Sequence, residues 1–268
     1  MNGCPQLQQT VLQSLTPCNL AVHLVLGRGS YDGADKRTVR CPCPFTNTLA
    51  NHGYIPRNGL NVSGDVVLAV YDEVFNIDQS FTIGPVTNAL KVSTTGINGT
   101  FNLFDVNIHN FVEHDSSLSR KDFGDGPDGT QVPFDPSSWG QTVSHFPNVN
   151  FNVDDMAAAV RDRAIFEAGI DPGFNFTVKR RNTELTEVAN VVLVFSGGPD
   201  SVLDGTTPAG RADTAQVNTF FVDERLPFEK GFIRPASRIF PENLTIVEAL
   251  INASLPVDLP VAPTFHKL

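Results

Sequence analysis

The chain has few basic residues, a single tryptophan, and no cysteine beyond position 43. Each shortage excludes something. Its 268 residues carry 19 Lys and Arg against 29 Asp and Glu, a formal charge of −10. Clustered cations for a phosphate backbone are therefore missing, and nucleic acid is excluded as a partner. No apolar run reaches the roughly 20 residues of a membrane span, so no membrane-embedded segment is expected. Cys4, Cys18, Cys41 and Cys43 all lie near the start, so they form no disulfide framework for the whole chain; a Cys4–Cys18 bridge is left open. Alternating strand patterns are scarce, and there is no internal repeat. What remains, at 41% hydrophobic and 18% charged, is a globular chain. At this length it buries about three-quarters of its unfolded surface and needs no staple.

The N-terminus lacks the basic flank of a secretory signal: no Lys or Arg precedes the apolar stretch at 20–26. Five Asn-x-Ser/Thr sequons, at Asn61, Asn98, Asn175, Asn243 and Asn252, nevertheless favour a secreted glycoprotein. Helical periodicity dominates the rest. Ser63 is expected to cap a helix that lines up Val67, Val70, Tyr71 and Val74. A second helix is expected at 153–168 and a third at 182–195, stopped by Gly197-Gly198-Pro199. Shorter ones are expected at 45–53, 80–92, 136–144, 212–223 and 243–253. The fold class is therefore all-α, a single multi-helix domain over 37–254 with long Gly/Pro-rich loops. An atypical extension (1–36) precedes it and a Pro-rich tail (255–268) follows.

Three patterns mislead. Gly27-x-Gly29 lacks the third glycine of a dinucleotide turn, since position 32 is Asp32. Asp122, Asp125 and Asp128 lack the closing Glu of a calcium loop, so a solvated loop is expected. The terminal His266-Lys267-Leu268 is only loosely like a peroxisomal address.

The most informative segment begins Arg40-Cys41-Pro42-Cys43-Pro44-Phe45-Thr46-Asn47. Pro44 suits the first turn of a helix, which puts Cys43 at the N-cap, facing the free N–H groups of Phe45 and Thr46. The positive end of the helix dipole there favours thiolate, the form used by nucleophiles and metal ligands. A buried structural cysteine, a zinc site with Cys41 and His52, and a Cys/His hydrolase all remain open on these residues alone.

Further on, Glu113-His114-Asp115-Ser116-Ser117 follows a Phe-rich stretch. On a helical turn Glu113 and Ser117 would share one side, and with a backbone carbonyl they would begin an Mg²⁺ or Mn²⁺ site; a helix N-cap is the simpler use. His114 sits among acids that would orient it. Its partner is sought in the 182–195 helix, where Val191 and Val194 stack beside Glu187. A carboxyl in such apolar surroundings is expected to have a raised pKa, suited to acid–base work. Glu184, nearer the polar start, is expected to be solvated.

Together these segments resemble the fungal haem-thiolate peroxidases, the chloroperoxidase and unspecific peroxygenase family. The resemblance rests on Pro42-Cys43-Pro44 with Asn47 and the 49–59 run Leu-Ala-Asn-His-Gly-Tyr-Ile-Pro-Arg-Asn-Gly. It continues in Glu113-His114-Asp115 with Ser117, Ser119, Arg120 and Asp122, in Asp171-Pro172-x-Phe174-x-Phe176, and in Glu224-x-x-Pro227 with Gly231. It covers about residues 37–235.

The resemblance implies haem b held by the Cys43 thiolate, with Pro42, Pro44, Phe45 and Thr46 around it. It implies Mg²⁺ or Mn²⁺ on Glu113, the His114 carbonyl and Ser117. It implies Glu187 as the acid–base positioned by His114, acting on hydrogen peroxide to give an oxo-iron(IV) oxidant. That oxidant would attack small apolar or aromatic organic substrates, with peroxidase and halide-oxidising side activity. Phe174 and Phe176 would pack or line the pocket, with Asn190 and Val191 nearby. Departures are Cys41, Asn190 where Phe is usual, and Phe232 in place of Trp. The alternatives are a non-catalytic interaction protein that keeps the fold and the Cys43 hydrolase. Oligomeric state is left open.

Overall fold

The computed structural model describes residues 31, 33, 38–125 and 129–255. Most of the extension, with Cys4, Cys18 and the glycine decoy, and also Asp128 and the tail from 256 onward lie outside the described residues.

Nine helices carry the described chain: α1 (Pro44–Asn51), α2 (Gly64–Phe75), α3 (Gln79–Lys91), α4 (Pro136–Val143), α5 (Val153–Ile170), α6 (Val178–Phe195), α7 (Pro199–Val202), α8 (Thr214–Asp223) and α9 (Pro241–Ser254). Strand content is limited to two small antiparallel pairs. β1 (Val62–Ser63) pairs with β2 (Thr100–Phe101) in the register Val62 with Phe101. β3 (Asn150–Phe151) pairs with β4 (Ala212–Asp213) in the register Phe151 with Ala212.

Helix starts follow local capping chemistry. The Ser63 hydroxyl accepts from the Val66 N–H and opens α2 as the spacing required. Asn152 and Asp155 form a reciprocal capping box at α5. Asp135, Thr177 and Asp213 cap α4, α6 and α8. Thr177 starts α6 at Val178, earlier than the expected 182, because its cap bond to Arg180 N carries the polar first turn that an apolar search overlooks. Past the Gly197-Gly198 stop, Pro199 opens the one-turn α7.

One hydrophobic cluster joins these elements. From Val188 to Phe195 every residue of α6 is buried, and α6 packs against α9, which also lies on α5. A helix apolar on all sides must be central. Phe45, Tyr71, Phe75, Phe195 and Phe220 form a chain of ring contacts that ties α1 to α2, α6 and α8. Gly59 fixes the entry to α1. Its φ is +71°, and a Cβ there would lie 2.2 Å from the Val39 carbonyl oxygen, so only glycine lets that strand of chain lie against the segment before Cys41. Among the described residues no helix is long and apolar enough to cross a membrane.

Candidate functional site

Cys43 occupies the N-cap of α1 in an extended conformation, with Pro44 as the first helical residue, as the sequence required. Its sulfur makes no cap bond to the backbone. It accepts instead from the Thr46 hydroxyl (3.5 Å) and lies 3.7 Å from the Tyr71 hydroxyl, which is itself 2.7 Å from Thr46 Oγ1. Cys43 is a free thiol of intermediate burial, and Cys41 is free and buried. Burial and the neighbouring Cys43 push the Cys41 thiol well above its usual range. That argues against Cys41 as a thiolate ligand. The zinc and hydrolase alternatives weaken at His52, whose Nε2 accepts from the Leu226 N–H at 2.9 Å.

His114 is buried, with a polar neighbour at each ring nitrogen. Nδ1 lies 2.7 Å from the Asp115 carbonyl oxygen, and Nε2 faces the Glu187 carboxylate at 3.6 Å. Burial works against a charge on the ring, but Glu187, Glu184 and the Asp115 carbonyl outweigh it and push its pKa up to about 10. Its charged form is thus favoured, with a hydrogen bond at Nδ1 and an ion-pair contact at Nε2.

The two glutamates of α6 exchange the environments expected of them. The Glu187 side chain is 63% exposed, whereas Glu184 is 2% exposed and burial pushes its pKa well up. The reason is what covers the first turns of α6: Glu184 lies under the polar segment 113–117 and takes a bond from the Ser116 hydroxyl (3.3 Å). Glu187 stands at the margin of that cover. Spacing held the signal, since Val188, Val191 and Phe195 follow Glu184 at i+4, i+7 and i+11 and all are buried.

The chain matches the sequence profile described as "Peroxidase, family 2" over residues 29–237. It belongs to that family. Curated relatives include the aromatic peroxygenase of Coprinellus radians, 28% identical over 70% of this chain and 77% of that protein. The aromatic peroxygenase of Cyclocybe aegerita is 28% identical over 80% and 59% of the two chains. A shorter stretch, 32% of this chain and 25% of the relative, is 38% identical to the chloroperoxidase of Leptoxyphium fumago. The chain thus spans most of one peroxygenase and little more than half of another. Membership makes it an oxidoreductase of the peroxidase type, a family whose cofactor is haem, with hydrogen peroxide and small organic molecules as its reactants.

For haem, the donor set around Cys43 fits: a free thiol at a helix N-terminus, a neighbouring hydroxyl donor and an apolar, aromatic floor. The segment around Glu113 departs from the expected helical turn. It is irregular, with Ser116 at φ 72°. Glu113 Oε1 is taken by His109 Nδ1 (2.8 Å), while Oε2 is buried without a partner. The His114 carbonyl accepts from Gln131 Nε2 (2.9 Å), and Ser117 Oγ accepts from the N–H of Arg120 (3.1 Å). Among the described residues no three His, Cys, Asp or Glu side chains are gathered to hold a metal ion. Asp122 is not solvated as expected: it is buried, accepts from the N–H groups of Ser116 and Ser117, and burial pushes its pKa up to about 7.

Phe176 is fully buried and Phe174 packs against it at 5.8 Å, so both contribute to the core. Asn190 and Val191 are also buried, with Asn190 Oδ1 unpartnered. Phe232 packs on Phe195 and Phe228 where the family pattern suggested Trp. Sequence reasoning missed His109, Tyr71 and the buried place of Glu184.

Proposed function

We propose that this protein is a haem-thiolate peroxygenase with accompanying peroxidase activity. Cys43 is its axial ligand and Glu187 its acid–base. The free Cys43 thiol at the start of α1, in a member of Peroxidase, family 2, carries this reading. Pro42, Pro44, Phe45 and Thr46 form the wall on the thiolate side. When bound, haem supplies the redox chemistry, and thiolate donation favours O–O cleavage of peroxide.

The chain's own residues have narrower tasks. The Thr46 hydroxyl donates to the Cys43 sulfur and holds it at the start of α1. Glu187, exposed at the edge of α6, is accessible to peroxide and takes its proton at a carboxylate oxygen, then returns it to the departing oxygen. His114, pinned by the Asp115 carbonyl, aims the Glu187 carboxylate. Glu113 Oε2, the His114 carbonyl and the Ser117 hydroxyl are hard oxygens suited to Mg²⁺ or Mn²⁺. Small apolar or aromatic molecules are the substrates, and halide oxidation is a side activity. The 37–254 region is the catalytic unit of a secreted protein, glycosylated among its five sequons.

The test uses haem-loaded protein, a small aromatic substrate and ¹⁸O-labelled hydrogen peroxide. Labelled oxygen in a hydroxylated product is expected. Products of radical coupling alone, without label, would make it a peroxidase only, and no oxidation would reject the reading.

A further inference from the structure

A second set of polar contacts lies behind the Cys43 loop, where none of the assigned chemistry takes place. Asn47, fully buried on α1, uses both ends of its amide on that loop. Its Oδ1 accepts from the Cys41 N–H (3.0 Å) and the Cys41 thiol (3.2 Å), and its Nδ2 donates to the Cys41 carbonyl (2.8 Å). The same Nδ2 donates to Glu224 Oε1 at 2.7 Å. That oxygen also receives Arg120 Nη2 at 2.6 Å, and Arg120 is only 1% exposed. The Glu224 carbonyl accepts from Asn51 Nδ2 (3.0 Å), and Asn51 Oδ1 accepts from Arg40 Nε (3.1 Å).

Glu224 therefore grips α1 at two points, by its side chain at Asn47 in the middle of the helix and by its backbone at Asn51, the last residue. It does so in a left-handed conformation (φ 46°, ψ 52°) unusual for a residue with a Cβ. Such a conformation persists where surrounding contacts over-determine it. Arg120 comes from the segment that follows Glu113, His114 and Ser117, so the chain of contacts joins that segment to the Cys43 loop.

We propose that Glu224, held by Arg120, is a positioning residue for the axial cysteine: through Asn47 it fixes the Cys41–Cys43 loop and so the place of the Cys43 sulfur. This rests on the haem-thiolate reading of Cys43. Glu224 touches no reacting atom; it acts through Asn47.

The test compares Glu224→Ala, Glu224→Asp and Glu224→Gln in the full chain. The first readout needs no haem: the rate of iodoacetamide alkylation of the native, haem-free protein, measured on the Cys43 peptide by mass spectrometry. Glu224→Ala is expected to raise that rate about tenfold, the effect of losing roughly one hydrogen bond to a charged group. Glu224→Gln keeps the acceptor for Asn47 and should stay within about threefold. Glu224→Asp, too short to reach Arg120 and Asn47 together, should fall between, and it decides the question if the alanine variant does not fold. The second readout is the share of ferrous–CO haem that keeps a thiolate-type Soret band, which should fall in the same order.

Phe176→Ala, a core variant whose side chain makes none of these hydrogen bonds, is the control for general loosening. Rates and spectra unchanged across the three Glu224 variants would overturn the proposal. So would a Phe176→Ala protein that reproduces the Glu224→Ala rate. Wild-type protein without a thiolate band would refute the haem-thiolate reading instead, and the alkylation rates would still decide whether Glu224 clamps the loop.

Discussion

The two sides of the site treat their buried acids differently. Behind Cys43, Glu224 Oε1 takes two donors, from Arg120 and Asn47. Around His114, Glu113 Oε2, Asp115 Oδ1 and Glu184 Oε2 are buried with no hydrogen-bond partner. An acid whose oxygen is answered by two donors fixes geometry. An unanswered buried oxygen carries an uncompensated desolvation cost, which a fold tolerates where proton or cation chemistry needs it. The Cys43 side is thus an anchor, and the His114 side holds the groups able to exchange protons.

The sharpest way to break this comparison is at the two α6 acids. Glu187→Gln should bind haem normally but lose about 10²–10⁴ in peroxide-driven turnover. Glu184→Gln, enclosed beneath segment 113–117 and away from solvent, should lose less than about tenfold. The reverse order in steady-state assays would transfer the acid–base role to Glu184.

Next in size is Phe176→Ala. With the ring wholly enclosed, about 3–5 kcal/mol of stability should be lost in denaturant unfolding. The ratio of products from competing substrates should stay the same. A changed ratio would make Phe176 a pocket residue.

His114 gives a smaller, pH-dependent effect. Its pKa is raised from 6.5 in the unfolded chain to about 10 in the fold. Its stabilisation is therefore complete below pH 6.5 and is lost as pH rises towards 10. Unfolding measured across that window should show stability falling with pH, and His114→Gln should flatten the slope. An equal slope in the variant would remove the imidazolium from the account. The smallest effect is expected at Asn190, where replacement by Leu removes an unpartnered buried oxygen. Stability should stay within about 1 kcal/mol of wild type or rise.

Local signals explain most of what was legible beforehand. Ser63, Pro44 and the apolar turns of α6 act within a few residues, and the helices they mark are present. The Cys43 N-cap and the meeting of His114 with Glu187 were likewise readable, the latter through family resemblance. The environments of Glu184 and Asp122 were not, because they depend on where segment 113–117 comes to rest across the chain. The Arg120–Glu224–Asn47 contacts span more than a hundred residues of sequence and carry no periodicity. The expected helical turn at Glu113 was misplaced for a related reason: His109 pairs with Glu113 across an isolated bridge, which a four-residue spacing also permits.

The central claim is thiolate ligation by Cys43, and the most direct measurement is the optical spectrum of haem-loaded protein reduced under carbon monoxide, for wild type and Cys43→Ala. A red-shifted, thiolate-type Soret band in wild type and its loss in the variant are expected. A wild type without that band, or a variant that retains it, would contradict the assignment.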